Sequence, residues 1–222
     1  MGASASVDQV QVIYSNVERA VPRTPRGSRD VKNCDRAGLK DVISHAEQDV
    51  KAFYDAAWAT CTADDLLVAT AALQADFTPA EPPRCALPDG ATVESLVALA
   101  SEHAEAMHWA LEKPVKESGG AYYQGPRKGT LRIKEKAEAD YEGDVARVVD
   151  VERATGVYGT ANDFNTAISK LRAAARGEEL RILRCKDNLR GGTSGYRDVK
   201  LNVDVDGFVG ELQLTFQSIK EI

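Results

Sequence analysis

The chain has 222 residues, 43% of them apolar and 28% charged, with a net charge of −6, which is enough apolar material for a core and excludes a wholly disordered or fibrous protein. The charge is unevenly shared: residues 1–120 carry 11 basic and 18 acidic side chains, residues 121–222 carry 17 and 16. That balance argues against a general polyanion-binding surface and a DNA partner, and leaves room for a local basic pocket in the second part.

Residues 1–36 are rich in Ser, Pro, Gly and Arg without a sustained period, which predicts a flexible arm. Its first residues, Met1-Gly2-Ala3-Ser4-Ala5-Ser6, fit a loose myristoylation pattern at Gly2, although so short a pattern often matches by chance. No apolar run approaches the ~20 residues of a membrane span, and Met1 to Ala20 lacks the apolar stretch of a secretory signal. No stable membrane insertion is therefore expected.

Residues 37–118 read as a helical region. Leu39, Val42, Ile43, Ala46, Val50, Phe53, Tyr54, Ala57 and Trp58 recur at three- and four-residue steps, one apolar stripe of a helix. A shorter helix follows, starting near Asp64 or Asp65, with Leu66, Leu67, Ala71 and Leu73 inside. Pro79, Pro82, Pro83 and Pro88 make Thr78 to Gly90 a loop, after which Thr92 caps a third helix carrying Val93, Leu96, Val97, Ala100, Ala104, Met107 and Leu111. His45, His103 and His108 fall on these helices without metal-ligand spacing, so packing or surface roles are expected. Cys34, Cys61, Cys85 and Cys185 are widely spaced with no C-x-x-C pair, the pattern of reduced thiols in a cytoplasmic protein.

Past Gly119-Gly120 helix and strand alternate. Val145 to Val157 reads as a strand, Asn162 to Ala174 as a helix with Phe164, Ala167, Ile168 and Leu171 inward, and Glu179 to Cys185 as another strand. Asp206-Gly207 has the composition of a type I′ turn, predicting a hairpin of Tyr196–Val205 and Phe208–Phe216. If Val205 pairs with Phe208, then Val203, Leu201 and Val199 meet Gly210, Leu212 and Leu214 on the core face. The other face pairs Asp204 with Val209, Asn202 with Glu211 and Lys200 with Gln213. Such a polar strip also fits a merely solvated sheet face.

On the Val145–Val157 strand, Val149 and Val151 take the core parity, while Asp150 and Glu152 take the other. If this strand neighbours the hairpin, Asp150 and Glu211 face each other. Two converging carboxylates are stable only when protonated, paired with cations or bridged by a metal, for which oxygen-only ligands favour Mg²⁺.

The strings Lys186-Asp187, Gly195-Tyr196-Arg197-Asp198-Val199-Lys200 and Gly210-Glu211-Leu212-Gln213-Leu214 resemble the K-D…G-Y-x-x-[LIV]-H…E-[IV]-Q-[IL] series of RelA/SpoT synthetases. Upstream, Asp150-Val151-Glu152-Arg153-Ala154 resembles the family's D-[LI]-x-x-x-R strand, and Arg127-Lys128…Arg132-Ile133-Lys134-Glu135-Lys136 its basic segment and helix. The resemblance covers residues 119–222, and four pieces in order are far more specific than any one. It implies an α+β fold, a mixed sheet flanked by helices of the nucleotidyltransferase-like sort, with the helical region on or beside it. The implied activity is transfer of pyrophosphate from ATP to the 3′-hydroxyl of GDP or GTP, or of another acceptor such as an adenine nucleotide or a tRNA end.

By the same resemblance Asp150 and Glu211 are the catalytic pair and hold Mg²⁺, and Glu211 is also a candidate base for the acceptor hydroxyl. Tyr196 stacks on guanine. Arg127, Lys128 and Lys134 grip the ATP phosphates, Arg184 and Lys186 lie near the acceptor, and Lys200, Asn202 and Gln213 complete the substrate-binding set. Three positions depart from the family: Lys200 stands for its His, Thr215 for its Arg after E-[IV]-Q-[IL], and the strand Arg comes two places early as Arg153. These departures keep a second reading open, a catalytically degenerate module that binds a nucleotide or a partner protein. The sequence ends at Ile222, where family members continue into a further helix, so a truncated chain or a shortened domain is expected. No His-Asp motif of the family's hydrolase domain is present. A homo-oligomer is compatible with all of this.

Overall fold

The computed structural model describes residues 48, 50–61, 64–177, 180–191 and 195–220. The expectations for the arm 1–36, for Gly2, for Cys34 and His45, and for Leu39, Val42, Ile43 and Ala46 lie outside them. Two compact units are distinguished: a larger one of Cys61–Arg190 with Asp198–Gln217, and a smaller one to which the described residues up to Thr60 belong, together with Gly191–Arg197 and the end of the chain.

The larger unit is α+β. Its helices are α1 (Asp64–Asp76), α2 (Val93–Lys116), α3 (Thr130–Tyr141) and α4 (Ala161–Arg176), and its strands β1 (Ala121–Gln124), β2 (Arg153–Tyr158), β3 (Arg181–Asp187), β4 (Val199–Val205) and β5 (Phe208–Phe216). The sheet runs β1-β2-β5-β4-β3 and is mixed, because β2 and β5 are parallel while every other pair is antiparallel.

The β4–β5 hairpin has the expected register, from Val205 opposite Phe208 to Val199 opposite Leu214. Asp206 and Gly207 both adopt positive φ, 49° and 90°, as a type I′ turn needs to match the twist of the strands. One face of the hairpin, with Val199, Leu201, Val203, Phe208, Leu212 and Leu214, is fully buried. It is covered by α2 through Leu96, Ala100, Met107, Leu111 and Val115, and α4 supplies Phe164, Ala167, Ile168 and Leu171 to the core. Phe164 stacks on Tyr158 of β2 at 5.1 Å and meets Phe216 of β5 edge-on at 5.0 Å. Each fully buried ring stabilises the fold by about 2–3 kcal/mol.

The α2 and α4 termini follow local chemistry. Thr92 caps α2 by accepting from the Ser95 amide, and Thr160 caps α4 by accepting from the Asp163 amide. Pro114 does not end α2, which runs on to Lys116. α2 crosses the sheet close to β2, where a Cβ on Gly156 would lie 2.9 Å from Leu214 Cδ2 and 3.2 Å from Val115.

Two expectations are corrected, and one strand was not expected. The strand expected over Val145–Val157 begins only at Arg153: Val145–Arg147 form a 3₁₀ turn capped by Asp144, and Val148 to Glu152 form no ladder. The first hairpin strand begins at Val199 rather than Tyr196, with Tyr196 and Arg197 belonging to the smaller unit. The edge strand β1, short and half polar, had no alternation long enough to announce it.

In the smaller unit, residues 50–59 are helical. Arg197 is held there by Asp55 (Nη2 to Oδ1, 2.6 Å), donates to the Gly195 carbonyl at 2.7 Å, and lies over the Trp58 ring at 5.3 Å. Gly195 has φ of 78°, and a Cβ there would come within 2.9 Å of Lys51 Cα, so the turn requires glycine.

Candidate active site

Alternation along β4 and β5 sends Lys200, Asn202, Glu211 and Gln213 to the sheet face opposite α2. On one side β3 adds Arg184 opposite Asn202 and Lys186 opposite Lys200. On the other, β2 adds Arg153 opposite Glu211. The segment before β2 completes the ring with Val149 and Asp150, and α3 with Lys136 and Tyr141. Together with Asn188 these side chains line a cavity of about 340 Å³.

Asp150 and Glu211 are therefore brought to one cavity, as expected, but by a different route. Asp150 is not in the strand. A bend at Val151 and Glu152 changes the parity, so Arg153 rather than Glu152 shares the face with Glu211, and Glu152 turns to the α2 side, where it is 4% exposed.

Asp150 Oδ2 accepts from Lys128 Nζ at 2.6 Å and from Lys136 Nζ at 2.7 Å. Burial alone would push the Asp150 carboxyl up, but the hydrogen bonds and charges of the two lysines outweigh it and hold the group below the usual carboxylate range. The lysines diverge: burial dominates at Lys128 and lowers its pKa, whereas at Lys136 the burial effect is overcome by the bond to Asp150 and the pKa is raised. Lys186 is lowered, first by burial and then by the like charges of Arg184 and Lys200.

Neighbouring bonds fix the other groups. Arg184 Nε donates to Asn202 Oδ1 at 2.8 Å, Gln213 Nε2 donates to Glu211 Oε1 at 2.9 Å, and Lys200 lies 3.5 Å from Asp198. A second cavity, of about 550 Å³, opens against Arg127, Lys128, Arg132, Lys136 and Arg153 with Glu135 and Asp140. Lys136 and Arg153 line both cavities.

Of the expected site residues, Asp150, Glu211, Arg184, Lys186, Lys200, Asn202 and Gln213 line the first cavity and Arg127 and Lys128 the second. Lys134 lines neither; its side chain is 66% exposed and lies 4.0 Å from Glu138 one turn on. Tyr196 belongs to the smaller unit, where its ring meets Tyr54 edge-on at 5.6 Å. The sequence reading missed Lys136, Arg153 as a cavity residue, Arg132, Asn188 and Tyr141. The signal for Lys136 lay in α3 itself: with Ile133 and Ala137 buried, Arg132 and Lys136 form an adjacent i, i+4 row, while Lys134 falls on the outer face.

Asp150 Oδ1 is buried without a hydrogen-bond partner among the described residues, beside a cavity that also holds Glu211, an arrangement that would fit Mg²⁺. Among the described residues no cluster of three His, Cys, Asp or Glu side chains forms a metal cage. Two carboxylates leave the remaining positions to water and to substrate phosphate, as Mg²⁺ commonly takes them.

No protein-family model matches the chain, and no curated protein matches it. Among solved structures it is similar to a chain of the complex between the Type VI effector Tas1 and its immunity protein. Identity there is 20%, over 59% of this chain and 63% of that one, with a TM-score of 0.44. The match thus spans less than two thirds of that chain. It is also similar to small alarmone synthetase 1 from Bacillus subtilis, at 18% identity over 54% of this chain and 74% of that one and a TM-score of 0.38. The same synthetase bound to its product pppGpp gives 17%, 55%, 71% and 0.41. Among the described residues no helix is long and apolar enough to cross a membrane.

Proposed function

We propose that the larger unit is a nucleotide pyrophosphotransferase of the RelA/SpoT type, moving the β,γ-pyrophosphoryl group of ATP to the 3′-hydroxyl of GDP or GTP. The observation that carries this reading is the pair of adjoining cavities. One is lined by cations suited to a polyphosphate, the other combines two carboxylates with Arg184, Lys186 and Lys200, and Lys136 and Arg153 stand between.

In this reading Arg127, Lys128, Arg132 and Lys136 hold the ATP phosphates, and Arg184, Lys186 and Lys200 hold the acceptor. The acceptor 3′-oxygen attacks the β-phosphorus in line, the bond from that phosphorus to the α,β-bridging oxygen breaks, and AMP leaves. Glu211 takes the 3′-hydroxyl proton, its other oxygen being oriented by Gln213. Mg²⁺, held by Asp150 Oδ1 and Glu211, would offset charge on the transferring group when bound. Lys136 and Arg153 meet the same charge from the protein side. Guanine selection by Tyr196 rests on the G-Y-x-x string alone.

The test is incubation with Mg²⁺ and ATP labelled at the γ-phosphate, with GDP, GTP, adenine nucleotides and deacylated tRNA offered separately. The expected result is label in a 3′-pyrophosphorylated guanine nucleotide, absent from the Asp150→Ala/Glu211→Ala double variant. Label in another acceptor would redirect the substrate assignment, and none in any would favour the binding module. One observation favours that second reading: Asp150 Oδ2 is already taken by two lysines.

A further inference from the structure

On the α2 side of the sheet lies a line of polar groups which, apart from Arg127, the transfer chemistry does not use. Glu152, 4% exposed, receives Arg127 Nε on Oε1, and its Oε2 lies 3.8 Å from His108 Nε2. His108 Nδ1 is 2.7 Å from the Tyr122 hydroxyl of β1, and Arg127 Nη1 donates to Ser101 Oγ at 2.6 Å. Ser101 and His108 are two turns apart on α2 and so share a face.

The chemistry along this line is directional. Burial keeps the His108 imidazole pKa below its ordinary value against the pull of Glu152, and burial raises that of the Tyr122 phenol. A neutral ring accepting from the phenol at Nδ1 carries its proton on Nε2, toward Glu152. Glu152 is thereby flanked on the α2 side by the His108 ring and bonded on the other by Arg127. A buried carboxylate is costly without partners, and here Oε1 receives the Arg127 guanidinium while the His108 ring lies 3.8 Å from Oε2. Arg127 is fixed at Nε and Nη1, leaving Nη2 without a protein partner among the described residues, on a side chain that lines the basic cavity.

We propose that Glu152, backed by His108, is a positioning residue for the phosphate-donor site, aiming the Arg127 guanidinium into the basic cavity. This rests on the pyrophosphotransferase reading for the identity of the donor as a nucleoside triphosphate. Fixing the fork beforehand removes the rotamer entropy that a long side chain would otherwise lose on binding. Glu152 acts through Arg127 alone, so its effect should be confined to the donor and vanish when Arg127 is gone.

The test is a double-mutant cycle on the full chain with Arg127→Ala and Glu152→Gln, reading ATP affinity and, separately, GDP affinity by calorimetry. The expected result is a loss of roughly 10-fold in ATP affinity for E152Q alone, GDP affinity unchanged, and no further loss when E152Q is added to R127A. Additive losses, or equal losses for ATP and GDP, would mean a general structural role and overturn the proposal. Should E152Q fail to fold, His108→Gln enters the same cycle with the same expectations. Absence of ATP binding in the wild-type protein would sink both readings, whereas wild-type binding without coupling sinks only this one.

Discussion

Asp150→Asn is nearly isosteric and removes the only negative charge bonded to Lys128 and Lys136 among the described residues. The Asp150 and Lys128 side chains are 15% and 14% exposed, and that of Lys136 is 29% exposed. A surface ion pair contributes about 0–1 kcal/mol, whereas breaking a fully buried one costs about 3–5 kcal/mol. The cluster lies nearer the buried limit, with Lys136 able to turn toward water, so the loss at pH 7 is expected to be about 2–3 kcal/mol. For a chain of this size that lowers the midpoint by roughly 4–12 °C. The sign with pH follows from the Asp150 carboxyl, whose folded value lies below its ordinary 3.8. Its contribution is complete above the unfolded value and is lost as pH falls through the lower folded one, so wild type and variant converge in acid. In the variant the burial of Lys128 is uncompensated, so stability should recover as pH rises through its depressed value. Urea unfolding followed by circular dichroism at pH 7, in acid and in mild alkali measures all three. A variant as stable as wild type at pH 7, or a deficit that does not shrink in acid, would refute the view that the two lysines are anchored by Asp150.

Two further outcomes follow from packing. Gly156→Ala would place a methyl 2.9 Å from Leu214 and 3.2 Å from Val115, an overpacking expected to cost about 1–3 kcal/mol, seen as a lower urea midpoint with unchanged slope. Burial pushes the Cys85 thiol up to about 11 and that of Cys185 up to about 12. Both should therefore resist iodoacetamide at pH 8 in the native state and react once unfolded, as peptide mass spectrometry would show. Rapid native labelling of either would contradict the burial.

Local pattern reached far into this chain wherever one face is buried. Period-two alternation around Asp206-Gly207 determined the β4–β5 hairpin, its register and hence the common face of Lys200, Asn202, Glu211 and Gln213, because a one-residue slip would move every apolar side chain out of the core. Thr92 and the apolar stripe after it likewise determined α2. Where the backbone leaves regular structure the pattern gave no guide: the bend at Val151 and Glu152 exchanges the faces of Glu152 and Arg153, and no periodicity encodes a bend.

The strand order, the parallel pairing of β2 with β5 and the resulting meeting of Asp150 with Glu211 at one cavity were decided only by tertiary structure. So were the capture of Asp150 by Lys128 and Lys136 and the link from His108 through Glu152 to Arg127. These contacts join residues 14 or more positions apart, and which of many charged side chains meet is set by how helices and strands pack, not by their spacing along the chain. The sequence by itself determined which residue types were available for phosphate chemistry and which faces of the hairpin they occupy. Only the packed sheet turned those faces into two adjoining cavities, because a cavity is a property of surfaces brought together from distant segments.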